Sequence, residues 1–125
     1  MVLDYVHLEN FGPFQGPHRL DLSPSEDGQK SIVLIGADNG AGKTTLLSGL
    51  KVCFYGRRAS ELWSGGLQGY KQFIREKFNN AGFDKGERQM VLETGLRVWD
   101  QRIPIRLVVR RSFTLTDNRQ FLTDN

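Results

Sequence analysis

Ser31-Ile32-Val33-Leu34-Ile35-Gly36-Ala37-Asp38-Asn39-Gly40-Ala41-Gly42-Lys43-Thr44-Thr45-Leu46-Leu47 is the stretch on which the reading of this chain turns. It opens with a continuous apolar run over 31–35, the pattern of a strand covered on both faces in a parallel sheet. A glycine-rich segment over 36–42 interrupts that run. From Lys43 to Tyr55, Leu46, Leu47, Leu50, Cys53 and Phe54 recur at helical spacing. The order is therefore strand, glycine-rich loop, helix. A polyphosphate needs many donors packed closely, and backbone N–H groups in a tight loop supply them only where side chains stay clear. Gly40, Ala41 and Gly42 meet that need. The helix that follows aims its N-terminal N–H groups and its dipole at the same anion.

The remaining chemistry follows from residue types. Lys43 brings a point charge to the β- and γ-phosphates, and Thr44 offers a hydroxyl to a Mg²⁺ ion bridging them. Thr45 either caps the first turn, touches the α-phosphate, or is a plain helix residue. Gly40, Ala41, Gly42, Lys43, Thr44 and Thr45 are thus candidate nucleotide contacts, Asp38 and Asn39 of the same loop are counted with them without a role of their own from residue type, Thr44 is the candidate metal ligand, and the expected ligands are ATP and Mg²⁺. The strict G-x-x-x-x-G-K-[ST] pattern is not met, because its first position is Ala37 and Gly36 stands one residue early.

Outward from the loop, residues 2–9 read as a strand, Asn10-Phe11-Gly12-Pro13-Phe14 as a turn, and residues 18–22 as a second strand. Residues 23–30 read as a polar surface loop. Residues 56–69 are linker-like. Tyr70, Phe73, Ile74 and Phe78 share one face of a short helix, and 79–86 is turn-rich. Two strands follow, one carrying Met90, Leu92, Leu96 and Val98 on alternate positions, the other Ile105, Leu107, Val109, Phe113 and Leu115. Residues 100–104 close them as an antiparallel hairpin.

Composition sets the class. A chain of 125 residues with 38% hydrophobic and 10% aromatic residues can build a core. A net charge of +3 permits an anionic partner without requiring one. The single cysteine, Cys53, excludes an intrachain disulfide and suits a reducing, cytoplasmic setting. No signal peptide or membrane span is legible, so no membrane partner is expected. His7 and His18 lack neighbours at metal-ligand spacing. The arginines at 97, 102, 106, 110 and 111 form either a DNA-facing patch or a solvated sheet face. No helix reads as a major-groove reader, and no aromatic row reads as a single-strand stacking platform.

Leu8-Glu9-Asn10-Phe11-Gly12-Pro13-Phe14 ahead of Ile35–Leu47 resembles the opening of SMC, RecF-type and related recombination ATPases. Phe54-Tyr55-Gly56-Arg57-Arg58-Ala59 and Val109-Arg110-Arg111-Ser112-Phe113 resemble DndD, the ATPase family of the DNA phosphorothioation system. That resemblance implies an α/β fold: the N-terminal part of an SMC/ABC-type P-loop ATPase head, a mixed sheet with an antiparallel β-subdomain, spanning 1–125. It implies ATP hydrolysis in the full-length protein, duplex DNA and other Dnd-type proteins as partners, and a homodimer formed through ATP. It places Asn10 to Phe14 near the nucleotide base. Arg57 and Arg58 either reach phosphate or DNA, or form a solvated helix end. No apolar run ending in Asp-Glu, no signature motif and no heptad segment is present; Ser64-Gly65-Gly66 stands at the wrong place with the wrong flanks. The chain is therefore expected to be a fragment or truncated product that binds ATP without turning it over. A nucleotide-binding subunit of an ABC transporter and a non-catalytic nucleotide-sensing module stand as alternatives.

Overall fold

A computed structural model describes residues 1–22 and 40–124. The expected surface loop over 23–30, the buried strand over 31–35 and the first half of the glycine-rich loop lie outside them. The described chain runs β1 (Val2–Phe11), β2 (Phe14–Asp21), α1 (Gly40–Tyr55), two 3-10 turns (Gly56–Arg58 and Ser60–Leu62), α2 (Gly66–Lys77), α3 (Asn80–Asp84), β3 (Gln89–Asp100), β4 (Ile103–Leu115) and β5 (Phe121–Asp124). The five strands form one sheet in the order β2-β1-β3-β4-β5, and every neighbouring pair is antiparallel. The molecule is thus mixed α/β, with an antiparallel sheet as its described framework.

Strand register decides which face is covered. Leu8 of β1 stands opposite Leu92 of β3, and Leu92 opposite Arg111 of β4, so these side chains share one face. Helix α1 lies there. Its Cys53 Sγ approaches the carbonyl oxygens of Leu92 and Val109, and Thr94 Oγ1 donates to Cys53 Sγ. Gly49 lets the helix come close, since a Cβ there would stand 3.2 Å from Leu8 Cδ2 and 3.4 Å from Phe11. Helix α2 fills the same layer toward β5: Tyr70 meets Phe113 at 6.3 Å and Phe121 at 6.1 Å between ring centroids, and Trp63 packs on Tyr70 at 5.1 Å. Val6, Leu8, Val52, Tyr70, Ile74, Phe78, Leu92 and Phe113 form the buried core.

Two expectations need correction, and a third holds with a difference in burial. The segment 56–69 is not a plain linker, because two 3-10 turns and the start of α2 order it. The turn-rich 79–86 contains α3, capped by the Asn79 side chain, which accepts from the Gly82 N–H. Ile105 and Leu107 alternate as read and face the α1 side, opposite Val98 and Leu96, yet they are 41% and 44% exposed. Helix α1 meets β4 at Val109, and the hairpin runs past it. Alternation reports which residues share a face; it does not say whether a partner covers that face.

On the opposite face Tyr5 crosses Gly95, its pairing partner in β3. A Cβ at Gly95 would fall 2.1 Å from Tyr5 Cε1. The ring is held there by its hydroxyl, which donates to Glu93 Oε2 at 2.7 Å, and by the Arg19 guanidinium 3.8 Å from its centroid. Gly95→Ala forces the ring out and is expected to cost about 1–3 kcal/mol, the usual range for overpacking. Urea denaturation measures it. If the clash is the cause, the same substitution costs almost nothing in a Tyr5→Ala background; an equal cost in both backgrounds refutes the account.

Candidate nucleotide site and its surroundings

Helix α1 begins at Gly40, three residues before the expected start at Lys43. Gly40, Ala41 and Gly42 therefore belong to its first turn, whose backbone N–H groups have no partner within the helix. No acidic side chain sits in that turn to compete for an anion. Asp38 and Asn39 lie outside the described residues, as do the side chains of Ala41 and Lys43. Thr44 is exposed on the first turn, whereas Thr45 is buried at 7% relative exposure. The two threonines are thus separated: one side chain is open to solvent, the other turned into the fold.

Thr45 is turned toward the Asn10–Phe14 turn. A Cβ at Gly12 would lie 2.6 Å from Thr45 Cγ2, and Gly12 has φ +55°, so this approach requires glycine on both counts. The turn is fixed from behind. The Gly12 N–H donates to Lys77 O at 2.6 Å, Asn79 Nδ2 donates to Gly12 O at 2.8 Å, and the Asn79 N–H donates to Asn10 O at 2.8 Å. Asn10 is fully buried with φ 57°; its Nδ2 donates to Gln89 O at 3.0 Å and its Oδ1 accepts from the Gly16 N–H at 2.9 Å. The Asn-Phe-Gly-Pro-Phe turn thereby ties the α2–α3 junction and the start of β3 to the first turn of α1.

At the other end of α1, Gly56 takes φ 56° and ends the helix. Arg111 reaches across from β4, with Nε donating to Cys53 O at 3.4 Å, and places a positive charge at the negative end of the helix dipole. A Cβ on Gly56 would stand 2.8 Å from an Arg111 terminal nitrogen. Sequence reading did not foresee this pairing, because the two residues are 55 positions apart in the chain. It also missed Arg119, whose terminal nitrogen donates to Phe78 O at 2.9 Å and Arg75 O at 3.2 Å, closing the end of α2.

The arginines of β3 and β4 do not form one patch. Arg97 pairs with Asp4 at 2.8 Å and Arg110 with Glu93 at 3.2 Å on the outer face, while Arg111 lies on the helix side. Arg102 and Arg106 are exposed. The Tyr5 hydroxyl, then Arg110, hold the Glu93 carboxyl below the usual carboxylate range, and the same hydrogen bond raises the Tyr5 phenol. Burial pushes the Cys53 thiol up, which keeps it protonated and unreactive. Among the described residues no cluster of His, Cys, Asp or Glu could hold a metal ion. Among the described residues no helix is long and apolar enough to cross a membrane.

A family model described as an AAA domain matches residues 5–123, from β1 to β5. The chain belongs to the AAA domain family. This match agrees with the resemblance to SMC-like P-loop ATPases at the level of the superfamily. Neither the curated proteins nor the solved structures contain a match. The AAA match spans both the glycine-rich segment and the Asn-Phe-Gly-Pro-Phe turn that packs on Thr45.

Proposed function

We propose that this AAA domain binds Mg²⁺-ATP at residues 38–45 and is the N-terminal part of an SMC-like ATPase head. The observation that carries the reading is the junction at α1. A helix starts inside the glycine-rich segment, presents Thr44 to solvent on its first turn, and is buttressed through Thr45 by the Gly12 turn. In this reading the first-turn N–H groups cradle the phosphates, Lys43 neutralises the β- and γ-oxygens, and Thr44 contributes one ligand to Mg²⁺.

The finer proposal is a DndD-like role in DNA phosphorothioate modification or the restriction linked to it. It is supported by Phe54-Tyr55-Gly56-Arg57-Arg58-Ala59 and Val109–Phe113. Duplex DNA, Dnd-type proteins and a second copy joined through ATP would then be partners of the full-length protein. The chain itself holds no Asp-Glu-terminated apolar run to position Mg²⁺ and the attacking water. Positioning and electrostatics supply most of the rate in phosphoryl transfer, so binding without turnover is the expected behaviour. Titration calorimetry should show ATP binding that strengthens on adding Mg²⁺, alongside phosphate release no faster than the buffer blank. Absence of ATP binding overturns the site. Hydrolysis well above background, lost in Lys43→Ala, overturns the incompleteness.

A further inference from the structure

Beyond the end of α1 lies a cleft of about 630 Å³, formed where α1, the first 3-10 turn, α2, β4 and β5 meet. Its charged lining is Arg57, Arg58 and Arg111, and its rings include Phe54, Tyr55 and Phe121. No Asp or Glu lines it among the described residues. Arg57 and Arg58 are exposed and make no ion pair among those residues, whereas Arg111 is anchored on Cys53 O. Tyr55 is 63% exposed beside them, so a ring face is open at the rim. Lys71 does not line the cleft; its Nζ lies 5.8 Å from the Phe121 centroid.

Among the described residues the three guanidiniums have no local counter-ion, which calls for an anion, and the guanidinium fork fits phosphate oxygens. The neighbouring rings call for a flat π-system on the same ligand. A base carrying its phosphate satisfies both. We propose that this cleft binds nucleotide units, with a base stacked on Tyr55 and phosphate held by Arg57, Arg58 and Arg111. The site is separate from the proposed ATP cradle. The two lie at opposite ends of a 16-residue helix, roughly 24 Å at 1.5 Å per residue. A duplex keeps its base faces stacked internally, so the polymer suited to the cleft is single-stranded. A sequence scan finds no aromatic row because the rings come from three separate elements, α1, α2 and β5, which only the fold brings together.

The test is fluorescence anisotropy with a labelled short oligothymidylate and the full chain. Saturable binding is expected, with a log–log salt slope of about −2 for three phosphate contacts on a single strand. Arg57→Ala with Arg58→Ala, and separately the exposed-ring change Tyr55→Ala, should each weaken it about tenfold or more. Tyr55→Phe should keep most of it. Lys43→Ala should leave it unchanged, which separates failure here from failure of the ATP site. Thymidine monophosphate competing as strongly as the oligomer assigns the cleft to a free nucleotide; a tighter oligomer assigns it to a strand. No binding of either probe, stronger binding of a duplex, equal competition by pyrophosphate, or indifference to both sets of variants overturns the proposal.

Discussion

Asn10→Ala is expected to lower the unfolding free energy by about 3 kcal/mol or more. The amide of Asn10 is fully buried and serves two backbone groups from different parts of the chain, Gln89 O and the Gly16 N–H. Alanine leaves both without their partner, at about 1–3 kcal/mol for each group left unsatisfied in the interior. It must also hold φ 57°, a left-handed conformation that asparagine tolerates and that costs other L-residues roughly 1–2 kcal/mol. The components can be separated. Asn10→Gly removes the same hydrogen bonds but accepts the backbone angle, so it should recover about 1 kcal/mol relative to alanine. Asn10→Asp keeps an acceptor for Gly16 but cannot donate to Gln89 O and buries a charge, so it should fall no better than alanine. Urea denaturation curves with a common slope measure all three. An alanine variant within about 1 kcal/mol of the parent would show that water replaces the amide and that the turn is not held as described.

That result bears on function, because the turn held by Asn10 is the one that packs on Thr45. Asn10 fixes the strand ends, Gly12 leaves room for the threonine methyl, and Asn79 closes the ring from α3. A destabilised turn should therefore loosen the first turn of α1.

The amount legible from sequence varied with the range of the interaction. Local patterns were read well: the helix through Leu46–Tyr55, the helical face of Tyr70, Ile74 and Phe78, and the hairpin around Gln101-Arg102 all form. These depend on neighbours within a few residues. What failed to show were pairings across the fold. Arg111 beside Gly56, Arg119 on the end of α2, Tyr5 across Gly95 and the aromatic cleft each join segments dozens of residues apart. The arginines stayed open between a DNA-facing patch and a solvated sheet face for a related reason. Spacing along β4 shows that Arg106 and Arg110 share a face, but it cannot show that Glu93 and Asp4 neutralise Arg110 and Arg97 from neighbouring strands. The candidate nucleotide site could be named from sequence because its residues sit in one run of the chain. Thr44 and Thr45 look equivalent there; only packing against Gly12 distinguishes them.

Lys43→Ala is expected to weaken ATP binding by tenfold to more than a hundredfold. A charge-assisted contact to a phosphate is worth about 1.5–3 kcal/mol, and each 1.4 kcal/mol is about a factor of ten in affinity. The residue lies in the first turn of α1, which already directs its N–H groups outward. Removing the lysine leaves those donors in place, so residual binding is expected rather than none. Thr44→Ala gives a contrasting signature. Its exposed hydroxyl acts through the metal, so its loss should reduce affinity only when Mg²⁺ is present and have no effect in chelator. Lys43→Ala should weaken binding in both conditions, because its charge meets phosphate directly. Calorimetry of the parent and the two variants, with and without Mg²⁺, reads the pattern, and urea denaturation checks that each variant stays folded. Equal affinity for parent and Lys43→Ala would remove the phosphate site from this helix. A Thr44→Ala loss that persists in chelator would mean that the hydroxyl touches phosphate itself and that the Mg²⁺ ligand lies elsewhere.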